Sequence, residues 1–342
     1  MSCSAAEAVA ALPADGVPDY PPFEVLPAGR PAPATLMIDG TLTDLFFYPA
    51  APRDGAAGGR LVAADARSGA MVWDSDRSAD RLLPAPVAHA PAVLANAEGL
   101  AYRAYFGDEA GGVWRLDLPA GPAAAWRLSR LADLAGLATD GGTVTIPVAP
   151  DLFRAVDGAG RPFDGVVLSV LVPAEDGQEV GLVLLRDYAV DGTQDGQPLE
   201  SSELVAVRRC EIPDCPPPAG PGWYLADAAP GDALAVAPLI DGGRIFLATH
   251  KRLSLACDTA SAERFVVIVA LESGEAVYPG EEGGAFALGR QVLDGPRPAD
   301  GVIHLPGLAE ALAVQGVEEG ALAAEGLAVT RRYWLDLLLD SD

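Results

Sequence analysis

The chain is 342 residues long, enough for two ordinary domains or for one large domain built from repeats. Its 38 glycines and 30 prolines suit many short strands joined by turns, and a hydrophobic content of 50% excludes disorder as the main state. A formal net charge of −25 excludes a nucleic-acid surface or an anionic-membrane surface, because both need basic patches.

Residues 1–34 are rich in Ala, Pro and Asp and read as an extended lead-in to a domain spanning 35–342. Thr35–Tyr48 reads as a strand, a turn at Asp39-Gly40 and a second strand. Arg60–Asp65 and Ala70–Trp73 form the next pair around Ser68-Gly69, and Ala101–Phe106 with Gly111–Leu118 form a third. Later pairs join Gly165–Val172 to Val180–Asp187, Ala233–Ile240 to Arg244–Thr249, and Phe265–Leu271 to Gly274–Val277. Helical spacing is confined to Leu128–Leu137 and Gly307–Val314. Units of roughly 40–50 residues, each with an acidic residue, a small-residue turn and an apolar return, predict an all-β fold. The expected architecture is a modified β-propeller of about seven blades, closed or lacking its first strands. A pair of β-sandwiches is the competing arrangement. A parallel α/β fold would need alternating helices.

No run approaches the ~18 apolar residues of a spanning helix, so membrane insertion is not expected. Met1–Ala11 has no basic start before its apolar part, which suggests a cytosolic chain or a mature or trimmed piece. Cys210 and Cys215 flank four residues, a spacing that a disulfide can close, with free thiols as the alternative. His89, His250 and His304 are scattered, and none stands at ligand spacing from a cysteine. There is no Gly-x-Ser-x-Gly and no His-Glu-x-x-His, so no catalytic residue is assigned.

Asp74, Asp76 and Asp80 are close enough in sequence to hold a cation, but the stretch lacks a central glycine and contains Arg77. It reads as a solvated loop between blades. Its acids, with Glu281 and Glu282, are candidate contacts for a partner. Asp65 and Asp108 are placed to bond backbone amides in their turns. Trp73 and Trp114 suit packing between neighbouring blades. The other reading of these tryptophans is as docking residues of a quinone-dependent dehydrogenase, which would also need a calcium-bound cofactor pocket.

Several blocks resemble one family in its order. Tyr105–Asp117, with Asp108, Trp114, Arg115 and Asp117, is similar to the most recognisable stretch of the C-terminal propeller domain of the PilY family. Those proteins stand at the tip of bacterial type IV pili. Gly222–Asp227, containing Trp223 in a Gly-Trp-Tyr turn, Val236–Leu239 and Arg244–Thr249 resemble a later block that leads to a cysteine, here Cys257. Met37–Gly40, Gly58–Arg60, Leu185–Tyr188 and Arg332–Trp334 are further matches. The resemblance implies a non-enzymatic interaction domain that docks on minor pilins, supports pilus biogenesis and surface adhesion, and reaches the pilus tip or cell surface through the periplasm. A scaffold in envelope assembly is the neighbouring possibility. It also implies a calcium loop before Gly107-Asp108. Here that stretch is Leu94–Tyr102, where Asn96 and Glu98 offer too few oxygens for the 6–8 that calcium takes, so calcium binding is expected to be lost and no cofactor is expected.

Overall fold

The computed structural model describes residues 30–52, 58–77, 83–138, 141–174, 177–190, 197–207, 220–229, 233–234, 237–252, 262–274, 285–289, 297–299, 302–304 and 314–315. Sheet I takes β1 (Ala32–Ile38), β2 (Thr41–Pro49), β3 (Leu61–Asp65) and β4 (Met71–Asp74) in that order, each antiparallel to the next. Sheet II repeats the meander with β5 (Ala92–Ala95), β6 (Ala101–Gly107), β7 (Gly112–Asp117) and β8 (Arg127–Asp133). Sheet III begins with β9 (Asp151–Val156), β10 (Pro162–Ala174) and β11 (Gly177–Asp187).

The chain then turns back. Strand β12 (Leu199–Glu200) adds to the outer edge of sheet II, parallel to β8. After a 3-10 turn at Ser201–Glu203, β13 (Val205–Val207) and β14 (Gly222–Ala229) complete sheet III, with β14 antiparallel to β11 and β13 parallel to β14. Sheet IV contains β15 (Ala233–Leu234), β16 (Leu239–Asp241), β17 (Arg244–Arg252), β18 (Ala262–Ala270) and β19 (Ala285–Gly289). A small fifth sheet holds β20 (Arg297–Ala299), β21 (Val302–His304) and β22 (Val314–Gln315).

Sheets I to IV stack in chain order through three apolar layers. Leu36, Phe47, Leu61 and Trp73 of sheet I share one cluster with Phe106 and Leu116 of sheet II and with Trp126 of its β7–β8 loop. Val113 and Ala132 of sheet II meet Val166, Leu168 and Val183 of sheet III. Leu184 and Trp223 of sheet III meet Ile245 and Val267 of sheet IV. The first strands follow one another along the stack, β1 beside β5, β5 beside β9 and β9 beside β16. Sheets that pack face to face only on their neighbours, with first strands together, are the blades of a β-propeller. Their first strands begin at Ala32, Ala92 and Asp151, a wider spacing than the turn pattern suggested.

Local chemistry explains the hairpins. Asp39 (φ 49°) and Gly40 (φ 78°) both take left-handed backbone, the type I′ turn that matches strand twist and sets Ile38 opposite Thr41. The tip is tied to the β7–β8 loop, with the Asp39 amide donating to the Gly121 carbonyl and the Gly121 amide to Met37. Asp65 Oδ1 accepts from the Arg67 and Ser68 amides and from the Ser68 hydroxyl, which closes the β3–β4 turn.

Four expectations change. Leu128–Leu137 is not helical: Arg127–Asp133 is β8, followed by a 3-10 turn at Ala135–Leu137. The Gly-Trp-Tyr segment is the start of β14, not a turn. Phe265–Leu271 lies largely in β18, whose partners are β17 and β19. Strand β1 starts at Ala32, inside the expected lead-in. Residues 305–313, with most of the second helical segment, lie outside the described residues. Among the described residues no helix is long and apolar enough to cross a membrane.

Candidate functional site

The most concentrated chemistry lies between sheets II and III. Alternation in β6 places Arg103 and Tyr105 on the face turned to sheet III, and in β7 it places Arg115 and Asp117 there. Arg103 stands opposite Asp117, and Tyr105 opposite Arg115. On sheet III, Asp164 of β10 stands opposite both Asp187 of β11 and Arg154 of β9. Two carboxylates in facing positions repel. Here Arg103 and Arg115 of sheet II and Arg154 of sheet III supply the cations that hold them.

Arg103 is the hub. Its Nε donates to Asp117 Oδ1 at 2.7 Å, Nη1 to Asp164 Oδ2 at 2.7 Å, and Nη2 to the Ala189 carbonyl at 2.8 Å. Arg115 Nη1 reaches both oxygens of Asp187 at 3.2 Å, and its Nε donates to Asp117 Oδ2 at 3.1 Å. Arg154 Nε donates to Asp164 Oδ1 at 2.8 Å. The Tyr105 hydroxyl donates to Asp187 Oδ2 at 2.7 Å and lies 3.2 Å from Asp164 Oδ2. The Ala189 amide donates to Asp187 Oδ1. Three arginines thus face three aspartates, and the lattice is neutral. Asp164 and Tyr105 are completely buried, and Arg103 and Asp187 nearly so.

Burial opposes charge on Arg103, but Tyr105, Asp117, Asp164 and Asp187 raise its pKa further above the ordinary arginine value. Burial pushes the Tyr105 phenol well above its usual value, and Asp187 and Asp164 add to the rise. Tyr105 therefore stays protonated and acts as a donor. Every carboxylate oxygen of Asp117, Asp164 and Asp187 already accepts a hydrogen bond. The cluster joins the two sheets through hydrogen bonds from Arg103, Tyr105 and Arg115 to Asp164 and Asp187.

A second buried pair sits inside sheet I. Arg60 grips Asp74 through Nε at 3.1 Å and Nη2 at 2.7 Å, and Asp76 lies 3.6 Å from the same Nε. This corrects the reading of Asp74 as an exposed loop acid: it is 2% exposed and bound to a guanidinium. Asp76 is partly buried. Asp80, Glu281 and Glu282 lie outside the described residues, as do Cys210, Cys215, Cys257 and Trp334.

Asp108 organises the β6–β7 hairpin. Its Oδ1 accepts from the Ala110 amide at 2.9 Å and the Gly112 amide at 2.8 Å, while Oδ2 accepts from Trp114 Nε1 at 2.8 Å. A Cβ on Gly112 would run into that carboxylate, so the close approach requires glycine. Trp73 packs on Trp126 with ring centroids 5.9 Å apart in the layer between sheets I and II, and Trp223 fills the layer between sheets III and IV. All three tryptophans pack between neighbouring blades.

In the β5–β6 loop the oxygen offered by Asn96 is turned onto the backbone. Asn96 Oδ1 already accepts from the Glu98 amide at 3.1 Å and the Leu100 amide at 2.8 Å, and Glu98 is exposed. The side chain does the work of closing the loop. Among the described residues no group of three or more His, Cys, Asp and Glu is placed to hold a metal ion.

Sequence reasoning picked out Arg115 and Asp117, touched Tyr105 and Asp187 only as parts of family-like stretches, and missed Arg103, Arg154 and Asp164. The signal was charged residues set within apolar strand runs, as in Ala-Tyr-Arg-Ala-Tyr-Phe and Leu-Leu-Arg-Asp. In a strand buried on both faces such a charge needs a partner from another sheet.

A stacked meander of sheets, with arginine–aspartate pairs buried between the second and third, defines a β-propeller. Among solved structures the chain is similar to the PilY1 C-terminal domain of Pseudomonas aeruginosa, with a TM-score of 0.60 and 16% identity. That match covers 84% of this chain and 72% of that one, and the two share the propeller fold. An alpha-L-arabinanase of Cellvibrio cellulosa matches with a TM-score of 0.33 and 15% identity over 75% of this chain and 76% of that one. An endo-arabinase of Bacteroides thetaiotaomicron matches at 0.31 and 14% over 89% and 94%. No protein-family model matches the chain, and no curated protein matches it by sequence.

Proposed function

We propose that the chain is a non-enzymatic interaction domain of a type IV pilus tip protein. It docks on minor pilins, supports pilus assembly and adhesion to surfaces, and works on the outside of the cell after passing through the periplasm. The observation that carries this reading is the propeller fold shared with the PilY1 C-terminal domain over most of both chains. The sequence blocks around Tyr105–Asp117 and Gly222–Asp227 support it from an independent direction. The buried aspartates favour binding without turnover, because guanidinium groups and amides already occupy them. No cofactor is needed, and the Asn96 loop is calcium-independent. A net charge of −25 selects partners with basic patches, and such binding weakens as salt rises.

The test is co-elution of the purified chain with the minor pilins of the same organism on a sizing column, at low and high salt. A complex that forms at low salt and weakens at high salt supports the reading. Separate elution at both salt concentrations refutes minor-pilin docking through this domain.

A further inference from the structure

The boundary between blades II and III differs from the other two described. Blades I and II, and blades III and IV, meet through clusters of apolar side chains. Blades II and III meet in three layers. One end carries the Arg103 lattice. The middle is apolar, with Val113, Val166, Leu168 and Val183 in one cluster.

The third layer is a strap over the outer edges. Strand β12 pairs with Ala132 and Asp133 at the end of β8, which stands beside Gly112 and therefore opposite the Asp117 end of blade II. The strap then turns tightly, with the Glu200 amide donating to Glu203 Oε2 at 2.7 Å, and lies against the Ala135–Leu137 turn of blade II. Leu204 enters the same apolar cluster as Val113 and Val166. Strand β13 finally pairs with Trp223–Leu225 of blade III. One short segment is thus the outer strand of both blades.

We propose that blades II and III are clasped into one cooperative unit, so that they open together and the adjoining boundaries give way separately. This concerns the fold itself and does not rest on the pilus reading. Separating the two blades must part the lattice, uncover Leu204 and strip an edge strand from at least one blade in a single event. Coupled buried polar groups of this kind lose more together than they would singly. The I/II and III/IV boundaries meet through their apolar clusters, with the Ile240 amide donating to Asp151 Oδ2 at 2.6 Å across III/IV.

Native-state hydrogen exchange of the full chain, read by mass spectrometry, tests the clasp. Two mild variants probe its opposite ends. Tyr105→Phe removes the hydroxyl on Asp187, and Leu204→Ala trims the strap. Each is expected to speed amide exchange in β7 and β11 by the same factor, on the order of tenfold, with β2 and β17 unchanged. Faster exchange in one of the two blades alone overturns the proposal. Equal acceleration in all four strands, or no acceleration in either variant, overturns it as well.

Discussion

Replacing Arg103 with methionine keeps most of the side-chain stem and removes the guanidinium at the centre of the lattice. Three hydrogen bonds go, to Asp117 and Asp164 at 2.7 Å and to the Ala189 carbonyl at 2.8 Å. Asp164 is then left with Arg154, and Asp117 with Arg115, so two arginines face three aspartates. Breaking a buried pair from one side costs about 3–5 kcal/mol. That is a large share of the roughly 5–15 kcal/mol by which native proteins are stable. Asp164→Asn in the same chain removes one negative charge and restores neutrality. The double variant should therefore recover about 2 kcal/mol relative to the sum of the single losses, within the usual range for residues in contact. Urea unfolding followed by tryptophan fluorescence measures all three variants, and the loss in Arg103→Met should persist at high salt because the site is shielded from solvent. A loss below about 1 kcal/mol, or strict additivity of the two substitutions, would refute the claim that Arg103 holds the lattice.

Asp108→Asn leaves one oxygen where two are used, so either the Trp114 indole or the amides of Ala110 and Gly112 face an NH2 group. The expected loss is about 1–3 kcal/mol in urea unfolding, and no loss would show that the turn closes without this carboxylate. Burial holds the His89 imidazole below its usual value of 6.5, so the unfolded chain takes up a proton that the folded chain resists. Stability from this group is full above pH 6.5 and declines as pH falls through 6.5 toward the folded value. Melting temperatures of the wild type and His89→Phe, compared across that window, should show a shallower acid slope in the variant, and parallel slopes contradict the assignment. Millimolar calcium should leave the melting temperature unchanged, since Asn96 already closes its loop. A rise of several degrees that a chelator reverses would place a calcium site in the chain.

Hairpins were legible because their information is local. Asp39-Gly40 and Ser68-Gly69 name the turn, and the flanking apolar residues name the strands. Strand β8 was misread because Leu128, Leu131, Leu134 and Leu137 recur at helical spacing. A register shift opposite Val113 and Trp114 accommodates Leu131 as an extra residue, so the apolar positions lose the strict period of two. The lattice was illegible for another reason. Arg103 and Asp164 are 61 residues apart, and Tyr105 and Asp187 are 82 apart. Neither end of such a bond announces the other until blade stacking brings them together. Asp74 misled in the same way: a run of three nearby acids looked solvated, yet the first is matched by Arg60 across the hairpin.

The parallel addition of β12 to β8 also sets a timetable for the emerging chain. A ribosome or a secretion channel delivers the N-terminal side first, so β5 to β8 are available well before Leu199 and Glu200. Until that segment arrives, the outer edge of β8 offers unpaired amides and carbonyls to any passing strand. Blade II therefore spends the synthesis of all of blade III's first three strands unfinished, and slow delivery through that stretch favours mispairing between chains. Arg130 and Asp133, paired at 2.9 Å on the waiting strand, give it charge during that interval, the kind of protection that discourages an incoming edge.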